Sequence, residues 1–232
     1  MKPILTLSLI VIPVTISSAL FAQERIVSRD ATEYDLGNGM KRLVIQRGQN
    51  YFKNGSWRKY DFSIRNETSG GYDRKIENDF IFRFSAGAGA GYRIEKDGHY
   101  VAWELMGANA VSSAADGRTI RYSGIKNQAD IEFQAAPDGV KETIILKAWG
   151  APASFQFRLL SDLDISSDSL EVLFSSNGEP LFRMPPVFAL DSLKNALPAG
   201  FTIFQKDGNH FFEISVDTAN AVSPSGLILP LR

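Results

Sequence analysis

Asp130 and Glu132 stand two residues apart in Ala129-Asp130-Ile131-Glu132-Phe133. In an extended strand that spacing puts both carboxylates on one face, ~6–7 Å apart along the backbone. Carboxylates separated by roughly 5–9 Å serve glycoside hydrolysis as acid, base or nucleophile. Asp61 and Glu104 are two further acids that a shared groove would recruit. The competing reading is a charged, solvated face opposite Ile131 and Phe133, and the strict alternation favours it. Trp57, Trp103 and Trp149 supply flat faces for stacking on sugar rings, and Asp61 lies just beyond Trp57 and Tyr60. Large aromatics bury much area, so the same residues equally suit a core.

Other chemistries lose their ingredients at once. The chain has Cys 0 and His 2, which excludes thiol nucleophiles, Cys-ligated zinc, iron–sulfur clusters and three-His metal sites. His99 and His210 each follow turn residues and have no ligand-spaced partner. Asp162, Asp164, Ser166 and Asp168 recur at every second position and invite a calcium reading. An EF-hand counted from Asp162 would need Gly and Glu where Ser167 and Leu173 stand, so only a surface calcium loop remains open. Gly87-Ala88-Gly89-Ala90-Gly91 lacks the spacing of a phosphate loop and precedes a strand-like run, so it reads as a glycine-bent connection. No serine lies in a G-x-S-x-G context. No cofactor or metal is expected.

The elements that must position these residues are strands. Phe80-Ile81-Phe82-Arg83-Phe84, Ile131–Gln134, Phe155–Leu159 and Phe212–Val216 alternate apolar and polar side chains, the pattern of half-buried strands. Arg42–Gln46 is a short apolar run, and Thr143–Lys147 reads as a strand buried on both faces. Asn38-Gly39, Asn54-Gly55, Asp97-Gly98, Asp116-Gly117, Asp138-Gly139, Asn177-Gly178 and Asp207-Gly208 punctuate the runs. Asn-Gly and Asp-Gly tolerate the positive φ of tight hairpins. These signals predict an all-β fold, a large antiparallel β-sandwich of about 12–15 short strands. At most one short helix is expected, near Ser192–Leu197 and stopped by Pro198. Asn66–Ile76 is polar and reads as an exposed loop.

The first residues stand apart. Lys2 precedes an apolar run from Ile4 to Ile16, and small residues follow through Ala22. This is the layout of a secretory signal peptide, with cleavage after Ala22 or after Ala19. The run is shorter than the about 20 residues that span a bilayer, and no second run of that length follows. Residues 1–22 are therefore read as a signal and 23–232 as one β-sandwich domain, secreted, periplasmic or on the cell surface. The formal net charge of −1 gives no global electrostatic case for nucleic acid as a partner.

A family pattern emerges from several blocks together. They are Asp35–Lys41, Tyr51–Asp61, Ile120–Ile125, Ala129–Phe133, Pro137–Glu142, Ile145–Lys147, Phe155–Leu159 and, more weakly, Pro185–Ser192. The run resembles the β-rich module near the N-terminus of bacterial secreted and surface proteins of the RHS/YD-repeat, wall-associated and DNRLRE-domain type. The resemblance implies a non-catalytic structural or interaction module, with other domains of a larger surface protein as partners. It supplies no catalytic residues. Family members usually continue into further domains, whereas this chain stops at Leu229-Pro230-Leu231-Arg232, as a stand-alone version or a fragment. The alternative is a carbohydrate-binding or carbohydrate-active β-sandwich built on Trp57, Trp103, Trp149, Asp61, Asp130 and Glu132.

Overall fold

The computed structural model describes residues 23–69, 71–85, 91–148, 153–167 and 171–219, and every regular element among them is a β-strand. β1 (Gln23–Ser28), β2 (Ala31–Gly37) and β3 (Met40–Ile45) form an N-terminal meander, followed by the hairpin β4 (Asn50–Lys53)–β5 (Ser56–Lys59). Next come β6 (Arg65–Ser69), β7 (Tyr72–Glu77), β8 (Ile81–Phe84), β9 (Gly91–Lys96) and β10 (His99–Leu105). β11 (Ser113–Asp116), β12 (Thr119–Lys126), β13 (Ala129–Ala136) and β14 (Gly139–Leu146) make a four-stranded sheet in chain order. β15 (Ser154–Ser161) precedes a three-stranded sheet of β16 (Asp164–Ser167), β17 (Val172–Ser176) and β18 (Glu179–Met184). A two-residue ladder of β19 (Ala189–Leu190) and β20 (Ala196–Leu197) leads to β21 (Ala199–Lys206) and β22 (Asn209–Val216).

The large sheet has eight strands in the order β21-β22-β15-β10-β9-β8-β7-β6, all paired antiparallel. Its seam is β10–β15, and the whole four-stranded sheet lies between those two strands in the chain. Strict alternation sends Phe82, Phe84, Tyr92, Trp103, Leu105, Phe157 and Phe212 to one face, where all are buried. The four-stranded sheet answers with Ile120, Tyr122, Ile131, Phe133 and Ile144. Phe133 lies at the centre, its ring centroid 4.0 Å from Tyr92 and 5.6 Å from Phe82. Truncating it to Ala would cost about 3–5 kcal/mol through lost burial and the void left behind. The two sheets thus form the expected antiparallel sandwich.

The strands number more than the 12–15 expected, because several are only two to four residues long. All seven Asn-Gly and Asp-Gly pairs join consecutive antiparallel strands. Five carry the double positive φ of a type I′ turn, as at Asn54 (+53°) and Gly55 (+77°). The β12–β13 turn has no glycine and uses Gln128 at φ +55° instead.

Two expectations are overturned. Asn66–Ile76 is a hairpin, not a loop: β6 pairs with β7, and Ile76 alone of that stretch joins the core. Glu67 and Lys75 link across strands on the outward face, Lys75 to Glu67 at 2.7 Å and Arg83 of β8 to Glu67 and Glu95 at 2.8 Å each. An outer face stabilised by ion pairs needs no apolar alternation, so the strands read as loop. No helix forms at 192–197. Asp191 Oδ1 accepts from the backbone N–H of Leu193 and of Asn195 at 2.9 Å each, and Asp191 N–H donates to Asn195 O at 3.0 Å. The side chain closes a tight turn with Lys194 at φ +66°, which a helix cannot contain.

The N-terminal meander stands outside the shared core: no residue of β1–β5 belongs to the buried hydrophobic cluster. Polar contacts hold its own segments together. Asn50 Nδ2 donates to Ser28 O at 3.0 Å, and Asp30 Oδ1 accepts from the Gly48 N–H at 2.6 Å. Leu43 and Ile45 on β3 are exposed. Residues 1–22, on which the signal reading falls, lie outside the described residues.

Candidate functional site

A cavity of about 430 Å³ remains where the inner face of the eight-stranded sheet meets the β13–β14 turn and the β17–β18 hairpin. Its floor is apolar, with Ile94, Val101 and Trp103 from the sheet and Val140 from β14. Its outer wall is β18, whose residues Pro180 to Met184 all line the space, backed by Leu173 and Phe174 of β17. Charges sit at the margin: Arg29, Lys96 and Arg183 against Asp79 and Asp138. Lys96 arrives there because β9 alternation places it inward with Tyr92 and Ile94, but at the strand's last position.

The N-terminal region shapes one side of this cleft. The Tyr60 hydroxyl reaches Asp79 Oδ2 at 3.1 Å and the Pro137 carbonyl at 2.9 Å. Burial, with the negative Asp79 beside it, raises the Tyr60 phenol and keeps it protonated as a donor. Gly48 holds φ +61°, and a Cβ there would stand 2.9 Å from Pro137 Cβ, so the chain crosses the β13–β14 turn too closely for any other residue.

Behind the cleft lies a buried acid. Trp103 is 8% exposed and donates its indole N–H to Glu142 Oε2 at 3.1 Å. Glu142 is on the inward face of β14 with Val140, Ile144 and Leu146. Burial pushes its carboxyl up to about 8, and the single Trp103 bond opposes that only in part. Glu142 Oε1 and the Tyr92 hydroxyl have no partner among the described residues. Glu142 was not singled out from the sequence, although the parity of Val140, Ile144 and Leu146 marks it as inward-pointing.

The residues expected from sequence scatter. Asp130 lies on the charged outward face of β13, but its own side chain is 0% exposed, covered by Arg121 Nη2 at 2.7 Å and Lys147 Nζ at 2.5 Å. Burial pushes its carboxyl up, but Lys147, the Gly124 N–H and Arg121 outweigh that and hold it below the usual range. Glu132 is half-buried on the same outward face, opposite Arg121 and Thr143. Glu104 is on the outward face of the other sheet, bound to Arg158 at 2.6 Å. Asp61 is exposed in the β5–β6 loop, where Ser63 and then Arg65 hold its carboxyl low. The two sheets therefore separate Glu104 from Asp130 and Glu132, and these acids share no groove.

The tryptophans also part. Trp57 is half-buried on the β4–β5 hairpin, edge-on to an exposed Phe52 with centroids 5.3 Å apart. Trp103 is core and meets only the cavity floor, so it offers no open platform. Trp149 lies outside the described residues, as do Ala86–Ala90 of the glycine run and Asp168. Asp162 is taken by His99 Nδ1 at 3.0 Å and by the Tyr100 N–H at 2.8 Å, and these contacts outweigh burial to keep its carboxyl low. Among the described residues no three His, Asp or Glu side chains cluster as a metal site would require. Among the same residues no helix is long and apolar enough to cross a membrane.

No family model, curated protein or solved structure matches the chain.

Proposed function

We propose that the chain is a non-catalytic binding module of an exported protein, and that its ligand enters the cleft between the eight-stranded sheet and β18. The observation that carries this reading is the cavity itself. At about 430 Å³ it has the size of a small-ligand site, with apolar walls and a few charges at the margin to orient what enters. The signal-like N-terminus supports export, and the RHS-type likeness supports a place within a larger surface protein. Trp103 on the floor provides the readout. An apolar fluorescent probe such as anilinonaphthalene sulfonate should bind and change Trp103 emission. Val140→Trp should fill the space and abolish binding while leaving the melting temperature within a few degrees. Binding that survives this filling would refute the cleft as the site.

A second reading, carbohydrate binding, is favoured by one observation: Phe52 and Trp57 form an aromatic pair with Phe52 58% exposed. Stacking on sugar needs such an open aromatic face. Glycan-array binding lost in Trp57→Ala would support it, and binding unchanged in that variant would remove it.

A further inference from the structure

We infer that the cleft takes an extended peptide of alternating apolar and acidic residues, added as a strand to the free edge of β18. This rests on the cleft reading above and names its ligand class. β18 is the last strand of its sheet, paired on one side with β17 and with no strand on the other among the described residues. Successive side chains of a strand point to opposite faces. Yet the five consecutive residues Pro180 to Met184 all border the cavity. A space that meets both sets of side chains runs along the strand's edge, where unpaired N–H and C=O groups point outward. Such an edge is a template for a further strand.

The edge is blunted only at its start. Pro180 lacks an N–H, and the β17–β18 register shifts beside it, between Phe174 and Ser175. That leaves Leu181 to Met184 available, and Glu179, Pro180 and Arg183 are exposed to solvent. The opposite wall of Ile94, Val101 and Val140 is apolar and offers sockets for every second side chain of an incoming strand. The margin supplies the charge preference. Arg29, Lys96 and Arg183 have no ion-pair partner among the described residues, and they outnumber the carboxylates of Asp79 and Asp138. A peptide whose outward residues are acidic meets three cations against the two carboxylates of Asp79 and Asp138, a margin of net positive charge.

The test uses the whole secreted chain and a fluorescein-labelled hexapeptide of alternating Val and Glu. Three companions are needed: a Val-Lys version, and Val-Glu versions N-methylated at odd or at even positions. Anisotropy should show Val-Glu binding, at least tenfold tighter than Val-Lys. Methylation in one phase should abolish binding and in the other should be tolerated, because a strand bonds its neighbour only through alternate amides. Amide hydrogen exchange should slow within Leu181–Met184. Equal tolerance of both methylated peptides, or no protection of β18, overturns strand addition. If the fluorescent probe still binds and is blocked by Val140→Trp, the cleft reading stands while this inference falls. If neither probe nor peptide binds, both fall.

Discussion

On the outward face of the four-stranded sheet, Asp130 is covered by Arg121 and Lys147 and accepts a backbone N–H from Gly124. On the inward face of the adjacent strand, Glu142 meets one indole N–H. Both side chains are shut off from water, yet one carboxyl is held low and the other raised to about 8. Depth and partners together set the charge state: Glu142 lies deep among apolar side chains with one neutral donor, whereas Asp130 lies just under two cations and a backbone N–H. The outward acid behaves as an ion-pair hub that rivets β12, β13 and β14 together. The inward acid is neutral over most of the working pH range, and its low cost depends on staying so.

The contrast can be broken most sharply at Asp130. Asp130→Ala leaves two cations and the Gly124 N–H without their acceptor, and it should destabilise by about 3 kcal/mol in urea unfolding at pH 7. The loss is at the low end for a buried pair, because Arg121 and Lys147 keep 42% of their surface and can return to water. Since its folded carboxyl is depressed, the stability it contributes is present above about pH 4 and is lost as pH falls through the folded value.

Glu142 should respond with the opposite sign. Its folded carboxyl lies above the ordinary 4.5, so its contribution is complete below pH 4.5 and is lost as pH rises toward 8. Glu142→Gln keeps an acceptor for Trp103 and cannot ionise. It should match the wild type near pH 4 and exceed it by a margin that grows steadily toward pH 8.5, read from melting curves across that range. Wild-type stability that is flat between pH 5 and 8.5 would contradict the raised carboxyl.

Trp103→Phe removes the one donor and should destabilise by about 1–2 kcal/mol. It should also push the Glu142 midpoint further up, as followed by carbon-13 NMR of its carboxyl. The smallest effect should come from Glu104→Gln on the outer face of the large sheet. That pair with Arg158 leaves the side chains 47% and 41% exposed, so the change should stay under about 0.5 kcal/mol and shrink further in salt.

Local chemistry was legible in the sequence where one residue decides the geometry. Asn38-Gly39, Asn54-Gly55 and Asp207-Gly208 announced their turns because few other pairs accept two positive φ values. Phe80, Phe82 and Phe84 announced an inward face. β6 and β7 were not legible, since their outward side is stabilised by ion pairs to each other and to Arg83 of β8. The helix expected near Ser192–Leu197 gives way to a turn because the Asp191 side chain takes the N–H groups of Leu193 and Asn195. The cleft was invisible for a different reason. Val101, Val140 and Leu181 meet there from three sheets, and no local pattern encodes a meeting of that range. Glu142 was within reach, as a charged residue occupying the parity of Val140 and Ile144.

The seam between β10 and β15 also carries a cost in time. Glu104 and Arg158 face each other across it from 54 positions apart, with the entire four-stranded sheet on the intervening chain. Hairpins elsewhere close within a few residues and form on the microsecond scale, but this junction must wait for a long loop to close. The zipping of β15 onto β10 should therefore come late in folding, with β22 and β21 adding after it. With Cys 0, no covalent link holds that junction while it forms. Until it closes, the seam is where a passing chaperone or protease would find the molecule open.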